Sequence, residues 1–199
     1  MLRTFKFGFL FFIMLLPCYF LQGDNTFSDR YVGEFYEWTA PTRQSKPDQI
    51  KIDPFNDNLV WFTQPAINGV AKFNFTTKII TEYGTNGPYR PDGLTIDDEG
   101  ILWFGEQCGS SDETNDCQAS SLGTFDPETE EFKHYKLPYK DANPAIPSID
   151  NTGFIWISDH SNNKIIRFDP KKESFWIIEP PTPKSWVVDL KADSKNKVW

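Results

Sequence analysis

ILWFGE, residues 101–106, has two near-copies in the chain, LVWFTQ at 59–64 and FIWISD at 154–159, and a fourth begins with Val198–Trp199. The tryptophans Trp61, Trp103, Trp156 and Trp199 are spaced by 42, 53 and 43 residues. A period in the low forties marks a repeat architecture. The one long interval contains QCGSSDETNDCQAS (107–120), a loop insertion in the second unit.

Each tryptophan run sits in a wider unit. Before it comes an alternating segment that ends in a turn: PDQIKIDPFNDN (47–58), PDGLTIDDEG (91–100), PAIPSIDNTG (144–153) and VVDLKADSKN (187–196). After it come two more short runs. GVAKFNF (69–75), SLGTFDP (121–127) and KIIRFDP (164–170) are followed by KIITEY (78–83), EFKHYK (131–136) and ESFWII (173–178). All are β-branched or aromatic-rich and bounded by Gly, Pro, Asn or Asp, as strands are. Gly or Asn before the tryptophan strand supplies the positive φ a tight turn needs.

Four short strands per unit of about forty residues is the blade of a β-propeller. The chain therefore reads as an all-β propeller of four-stranded antiparallel blades. Its units are 47–83, 91–136, 144–179 and a truncated 186–199, and the tryptophans are expected to pack between blades. GEFYEW (33–38) resembles the outermost strand of a blade and is expected to close the ring. About three blades and parts of others predict an N-terminal portion of a longer ring.

The first 23 residues stand apart. Arg3 and Lys6 precede an apolar run from Phe7 to Leu21. As a helix those residues span roughly 22 Å at about 1.5 Å each, short of a bilayer core of about 30 Å. A secretory signal peptide is expected, with a retained membrane anchor or a lipoprotein cysteine at Cys18 as the alternatives. Removing Arg3 and Lys6 leaves 18 Lys and Arg against 28 Asp and Glu, a net charge of −10. Such a surface repels phosphate backbones, so nucleic acid is not an expected partner. No membrane contact is expected beyond the leader, and the complete protein is expected to be a secreted monomer.

Cys108 and Cys117 flank the insertion and, in an exported chain, read as a disulfide. The acidic residues between them (Asp112, Glu113, Asp116) offer a calcium site as the alternative to a solvated loop. Asn74–Phe75–Thr76 fits the acceptor pattern for N-glycosylation.

In a blade the segment that leads into the first strand and the loop after the second share one rim, the default ligand site. Three residues after the tryptophan stand Gln64, Glu106 and Asp159, and one further on Pro65, Gln107 and His160. The opening position of the first strand reads Asp48, Asp92 and Ala145. The expected rim set is thus Asp48, Gln64, Arg90, Asp92 and Asp159, with His160 as the candidate proton-transfer residue. His134, among charged neighbours in an outer strand, is expected to be solvated surface.

The pattern LWF-[TG]-E, I-x-x-F-D-P, ITEY and P-x-G-L-x-x-D-x-x-G, over residues 31–199, resembles the streptogramin B lyases (the virginiamycin B lyase family). SDHSNNKIIRFDP (158–170) is also similar to NHL repeats and, more distantly, to the lactone-hydrolysing gluconolactonase propellers. The lyase resemblance implies a seven-bladed ring. It also implies a Mg²⁺-dependent elimination that opens a cyclic depsipeptide at an ester, with histidine as base and an E-P-H-G-I motif leading into an inner strand. Arg90–Pro91–Asp92–Gly93–Leu94 occupies that motif in the second unit, and Glu106 falls where a metal-binding glutamate would stand. Arg90 replaces the glutamate of the motif, however, and Asp92 replaces the histidine. Residues 143–146 (NPAI) carry neither, and no Pro-His pair occurs in the 199 residues. The expectation is a propeller that binds a small ligand, glycan or protein at its channel rim. The alternative is a Mg-dependent C–O lyase or lactone hydrolase whose catalytic set lies mostly beyond residue 199.

Overall fold

Twelve strands form three sheets in a computed structural model that describes residues 36–85, 87–108 and 120–199. The first sheet contains β1 (Ile50–Asp53), β2 (Asn56–Gln64), β3 (Gly69–Asn74) and β4 (Ile79–Gly84). The second contains β5 (Tyr89–Ile96), β6 (Leu102–Cys108), β7 (Ser121–Asp126) and β8 (Glu131–Lys136). The third contains β9 (Pro144–Ile149), β10 (Ile155–Asp159), β11 (Lys164–Asp169) and β12 (Ser174–Ile178). Every strand pairs antiparallel with its sequence neighbour, so each sheet is a meander. The first strands sit side by side, with β5 lying against both β1 and β9. These are propeller blades, as the tryptophan period predicts, and a single 3-10 turn (Pro65–Ile67) is the only helical element among the described residues.

The blades are glued by aromatic and aliphatic side chains. Trp61 packs with Leu94, Leu102, Phe104 and Phe125 of the second blade. Trp103 packs with Ile155, Ile157, Ile166 and Phe168 of the third. Both are almost sealed from solvent, at 1% and 4% exposure. Covering both faces of the middle sheet removes the usual in–out polarity of a strand, and Leu102, Trp103 and Phe104 are consecutive buried residues of β6. Gly93, at φ +68°, lies at a close approach of the second blade to the third. Its backbone conformation disfavours an L side chain, and a Cβ there would collide with Ile146 Cα.

The tryptophans have a second role that the strand pattern does not announce. The indole N–H of Trp61 donates to Asp53 Oδ2 at 2.9 Å, Trp103 to Asp97 at 2.7 Å, Trp156 to Asp150 at 2.9 Å and Trp199 to Asp193 at 3.0 Å. The other oxygen of each aspartate accepts backbone N–H groups of the turn between the first two strands, such as those of Glu99 and Ile101 on Asp97 Oδ1. One carboxylate therefore fixes both the turn and the indole. The fourth unit shows the same device on a single bridge, Ala192↔Val198.

Residues 36–38 of the expected closing strand lie outside any strand. Trp38 instead packs on Phe73 and Phe75, at ring distances of 4.7 and 6.5 Å. Residues 1–23, the acidic loop of Asp112, Glu113 and Asp116, and the Cys117 partner of the expected disulfide lie outside the described residues. No helix among the described residues is long and apolar enough to cross a membrane.

Candidate functional site

Two sets of polar residues occur at the rim where first strands begin and second strands end. They face in different directions.

The first set is turned into the blades. Gln64, Glu106 and Asp159 are all at 0% exposure. Gln64 Nε2 donates to Glu82 Oε1 at 2.8 Å, and Glu82 also accepts the backbone N–H and the hydroxyl of Thr42. Glu106 holds His134 Nδ1 at 2.8 and 3.0 Å. The His134 ring lies against Tyr89, 4.4 Å between centroids. Asp159 accepts from the Tyr139 hydroxyl (2.9 Å), the Asn143 backbone N–H (3.1 Å) and both nitrogens of Asn162. Each buried group thus reaches toward the segment that leads into its own blade, through Thr42, Tyr89, or Tyr139 and Asn143.

Register explains the choice of partner. Glu82 stands opposite Ala71, and His134 opposite Gly123. Both therefore occupy the same position of the outer strand. In the third blade that position is Ile177, opposite Ile166, so loops must serve Asp159. Gly123 leaves room for the pair beside it, since a Cβ would come within 2.6 Å of the Glu106 carboxyl. Burial pushes the Glu106 carboxyl up, and the hydrogen bond and charge of His134 oppose that rise. The Tyr139 phenol is pushed well up by burial and by Asp159, so it remains a neutral donor. His134 is accordingly not solvated surface: its side chain is 25% exposed and ion-paired to a sealed carboxylate.

The second set faces outward. Asp92 of β5 accepts a 2.6 Å hydrogen bond from Gln107 Nε2, which also approaches Pro144 O at 3.4 Å. Burial raises the Asp92 carboxyl, and the charge of Asp48 raises it further. The Gly93 N–H, Gln107 and His160 act in the opposite sense. Asp48, Asp92 and His160 stand on the same rim of three successive blades, ahead of β1, in β5 and after β10. Asp48 and Arg90 are exposed, and Arg90 stands opposite Gln107 in the strand register. His160 is half-buried beside Trp186, with ring centroids 5.9 Å apart. Its Nδ1 is closed off from solvent without a hydrogen-bond partner among the described residues.

Among the described residues no three His, Cys, Asp or Glu side chains gather in a way that could hold an ion, and Glu106 is closed onto His134. Sequence reasoning did not find Glu82, His134, Tyr139 or Asn162 as partners of the buried column. Aligning IITEYG with EFKHYK would have placed Glu82 and His134 together.

No family model matches the chain, and no curated protein does. Solved structures do. A catalytically inactive variant of virginiamycin B lyase from Staphylococcus aureus with quinupristin is 25% identical, with a TM-score of 0.71 over 85% of this chain and 53% of that one. A streptogramin B lyase structure is 22% identical, with a TM-score of 0.70 over 85% and 52%. An auxiliary nutrient-binding protein from Bacteroides thetaiotaomicron shares the fold at 10% identity, with a TM-score of 0.56 over 74% and 33%. The chain thus spans about half the length of the lyase chains it matches, and its blades share the β-propeller fold of those structures.

Proposed function

We propose that the chain belongs to an exported binding propeller whose channel rim takes a small polar ligand, with Asp48, Arg90, Asp92, Gln107 and His160 as contacts. The observation that carries this reading is the rim geometry: β5 lies against both β1 and β9, Gln107 holds Asp92 at 2.6 Å, and Asp48, Asp92 and His160, from three successive blades, are all open or partly open to solvent. A buried polar network already satisfies Gln64's amide nitrogen, Glu106 and Asp159, so those groups support the rim rather than touch the ligand. Two carboxylates side by side favour a ligand that carries a positive charge or several hydrogen-bond donors. Glycans and small amines meet that description. The test is a thermal-shift panel of amines, amino sugars and oligosaccharides on the full protein. A hit should weaken at least tenfold in Asp92→Asn and in His160→Ala, and leave Glu82→Gln near wild type. Equal affinity in all three variants would place the ligand elsewhere.

A second reading rests on the likeness to a lyase structure with quinupristin. In it the rim holds a cyclic depsipeptide and further blades supply the elimination chemistry. Incubating the full protein with quinupristin separates the two. A ring-opened product of unchanged mass and altered chromatographic retention supports the lyase. Binding without conversion supports the first reading.

A further inference from the structure

We propose that Asn74 is an N-glycosylated residue, and that its glycan stands on the rim opposite the candidate ligand site. The argument comes from comparing the same turn in three blades.

The turn between third and fourth strands is built alike each time. Asp126 Oδ1 accepts the backbone N–H of Glu128 at 2.8 Å, and Asp169 Oδ1 that of Lys171 at 3.0 Å. The turn then closes through a left-handed residue, Glu130 at φ +59° and Glu173 at +49°. In the first blade Asn74 does this work. Its Oδ1 accepts from Thr76 N (2.8 Å) and Thr77 N (3.0 Å), and Lys78 closes the turn at φ +62°. An amide keeps the acceptor that a carboxylate supplies and adds a nitrogen.

The neighbouring positions change in the same direction. The second and third blades read Asp126–Pro127–Glu128 and Asp169–Pro170–Lys171, whereas the first reads Asn74–Phe75–Thr76. An acceptor needs asparagine, a residue other than proline, and then Ser or Thr. All three departures from the repeat meet that need, and no other site in the 199 residues does. The turn can also carry a bulky group. Thr76, Thr77 and Lys78 are exposed, and Asn74 Nδ2 makes no hydrogen bond among the described residues.

Its position is fixed by register. Asn74 pairs with Leu59 and Gly69 pairs with Gln64, so Asn74 sits at the other end of β3 from the rim residues. Five steps of about 3.3 Å put it some 17 Å away along the strand. A glycan there leaves the channel mouth clear. In the transfer, Asn74 Nδ2 forms a bond to C1 of the first sugar of a lipid-pyrophosphate-linked oligosaccharide. The C1–O bond to pyrophosphate breaks, the leaving pyrophosphate keeps the electron pair, and Nδ2 loses one proton. Nothing is oxidised or reduced.

This inference rests on the export reading, so the test has two arms. The full chain is translated in the presence of eukaryotic microsomes, once behind its own first residues and once behind a host secretory leader. In the host-leader arm a peptide-N-glycosidase should remove one glycan and convert residue 74 to aspartate. Asn74→Asp and Thr76→Ala should each abolish the shift, and Asn74→Asp retains the turn cap that Asp126 and Asp169 use. An unshifted chain inside the microsomes, or a shift that survives Asn74→Asp, overturns the proposal. If the chain's own leader fails while the host leader gives the shift, export is refuted and the Asn74 site stands.

Discussion

Trp103 donates its indole N–H to Asp97 Oδ2, while Asp97 Oδ1 receives the N–H groups of Glu99 and Ile101. One aspartate thus couples a turn at the blade edge to the side chain that joins two blades. Asp97→Ala leaves the nearly sealed indole N–H and two turn N–H groups without their acceptor. A lost buried partner costs about 1–3 kcal/mol. Urea denaturation should show a lower midpoint with an unchanged slope. Asp97→Asn keeps one acceptor oxygen and should fall between Ala and wild type.

The same clamp gives an acid limb to stability. Burial alone would raise the Asp150 carboxyl, but hydrogen bonds from Thr152, Trp156 and Phe154 outweigh it and hold the group below its ordinary value. A depressed carboxyl contributes stability that is present above the unfolded value, about 3.9. That stability is lost as pH falls through the folded value. Asp150→Asn should flatten the acid side of a melting-temperature profile relative to wild type. An unchanged acid limb would show that the hydrogen bonds do not favour the ionised form.

Trp61 and Trp176 are both strand tryptophans, yet their removal should differ sharply. Trp61 is 1% exposed between two blades, and Trp176 is 42% exposed. Trp61→Ala should cost about 3–5 kcal/mol, the range for deleting a large buried aromatic. Trp176→Ala should cost under about 1 kcal/mol in the described portion, because little of its surface changes environment. Guanidinium denaturation of both variants checks the ranking. Comparable losses would undo the assignment of Trp61 as the joint between blades.

Much of this arrangement was legible in the sequence, because covering both faces of a sheet forces the same apolar core onto every unit. The recurring tryptophans marked the blades, and Gly100, Gly153 and Asn196, all at positive φ, marked the turn in three units, whereas Asn58 lies inside β2. The aspartate of IDDEG, IDNTG and ADSKN was equally periodic, but its bond to the tryptophan is a side-chain event that strand alternation does not encode. Parity decided the rim. Residues of one strand alternate between faces, so Gln64, Glu106 and Asp159 share the face of Phe62, Phe104 and Ile157, and Phe104 and Ile157 pack toward the preceding blade. Their polarity pointed to the channel and their parity pointed into the packing. His134 was obscured for the same reason: Glu131 and Lys133 are its exposed neighbours in sequence, but its own position alternates inward onto Glu106.

Asp92 should behave as a functional residue that is held at a cost to stability. Burial first, and the Asp48 charge second, raise its carboxyl above the ordinary range. A raised carboxyl favours folding below the unfolded value, about 3.9, and that contribution is lost as pH rises through the folded value. Asp92→Asn should therefore melt higher than wild type at pH 7, by a few degrees at most at about 2–4 °C per kcal/mol. The gain should vanish near pH 3. A variant that melts lower at pH 7 would show that the Gln107 bond outweighs the repulsion.

His134→Ala tests the buried pair from the other side. Glu106 would keep its burial and lose the His134 ring nitrogen that meets both of its oxygens, while Phe104 and Gly123 beside it offer no side-chain replacement. Breaking a buried pair by removing one partner costs about 3–5 kcal/mol. With His134 gone, only burial acts on Glu106, so its folded value rises further. The variant should then be least impaired below the unfolded value of about 4.3, where the carboxyl is protonated in both states. It should lose stability steadily as pH rises through the raised folded value. Adding Glu106→Gln to His134→Ala removes the stranded charge and should recover most of the loss at pH 7. Thermal melts of wild type and the two variants from pH 3.5 to 8 separate this from a packing defect, which would lower both variants equally at every pH.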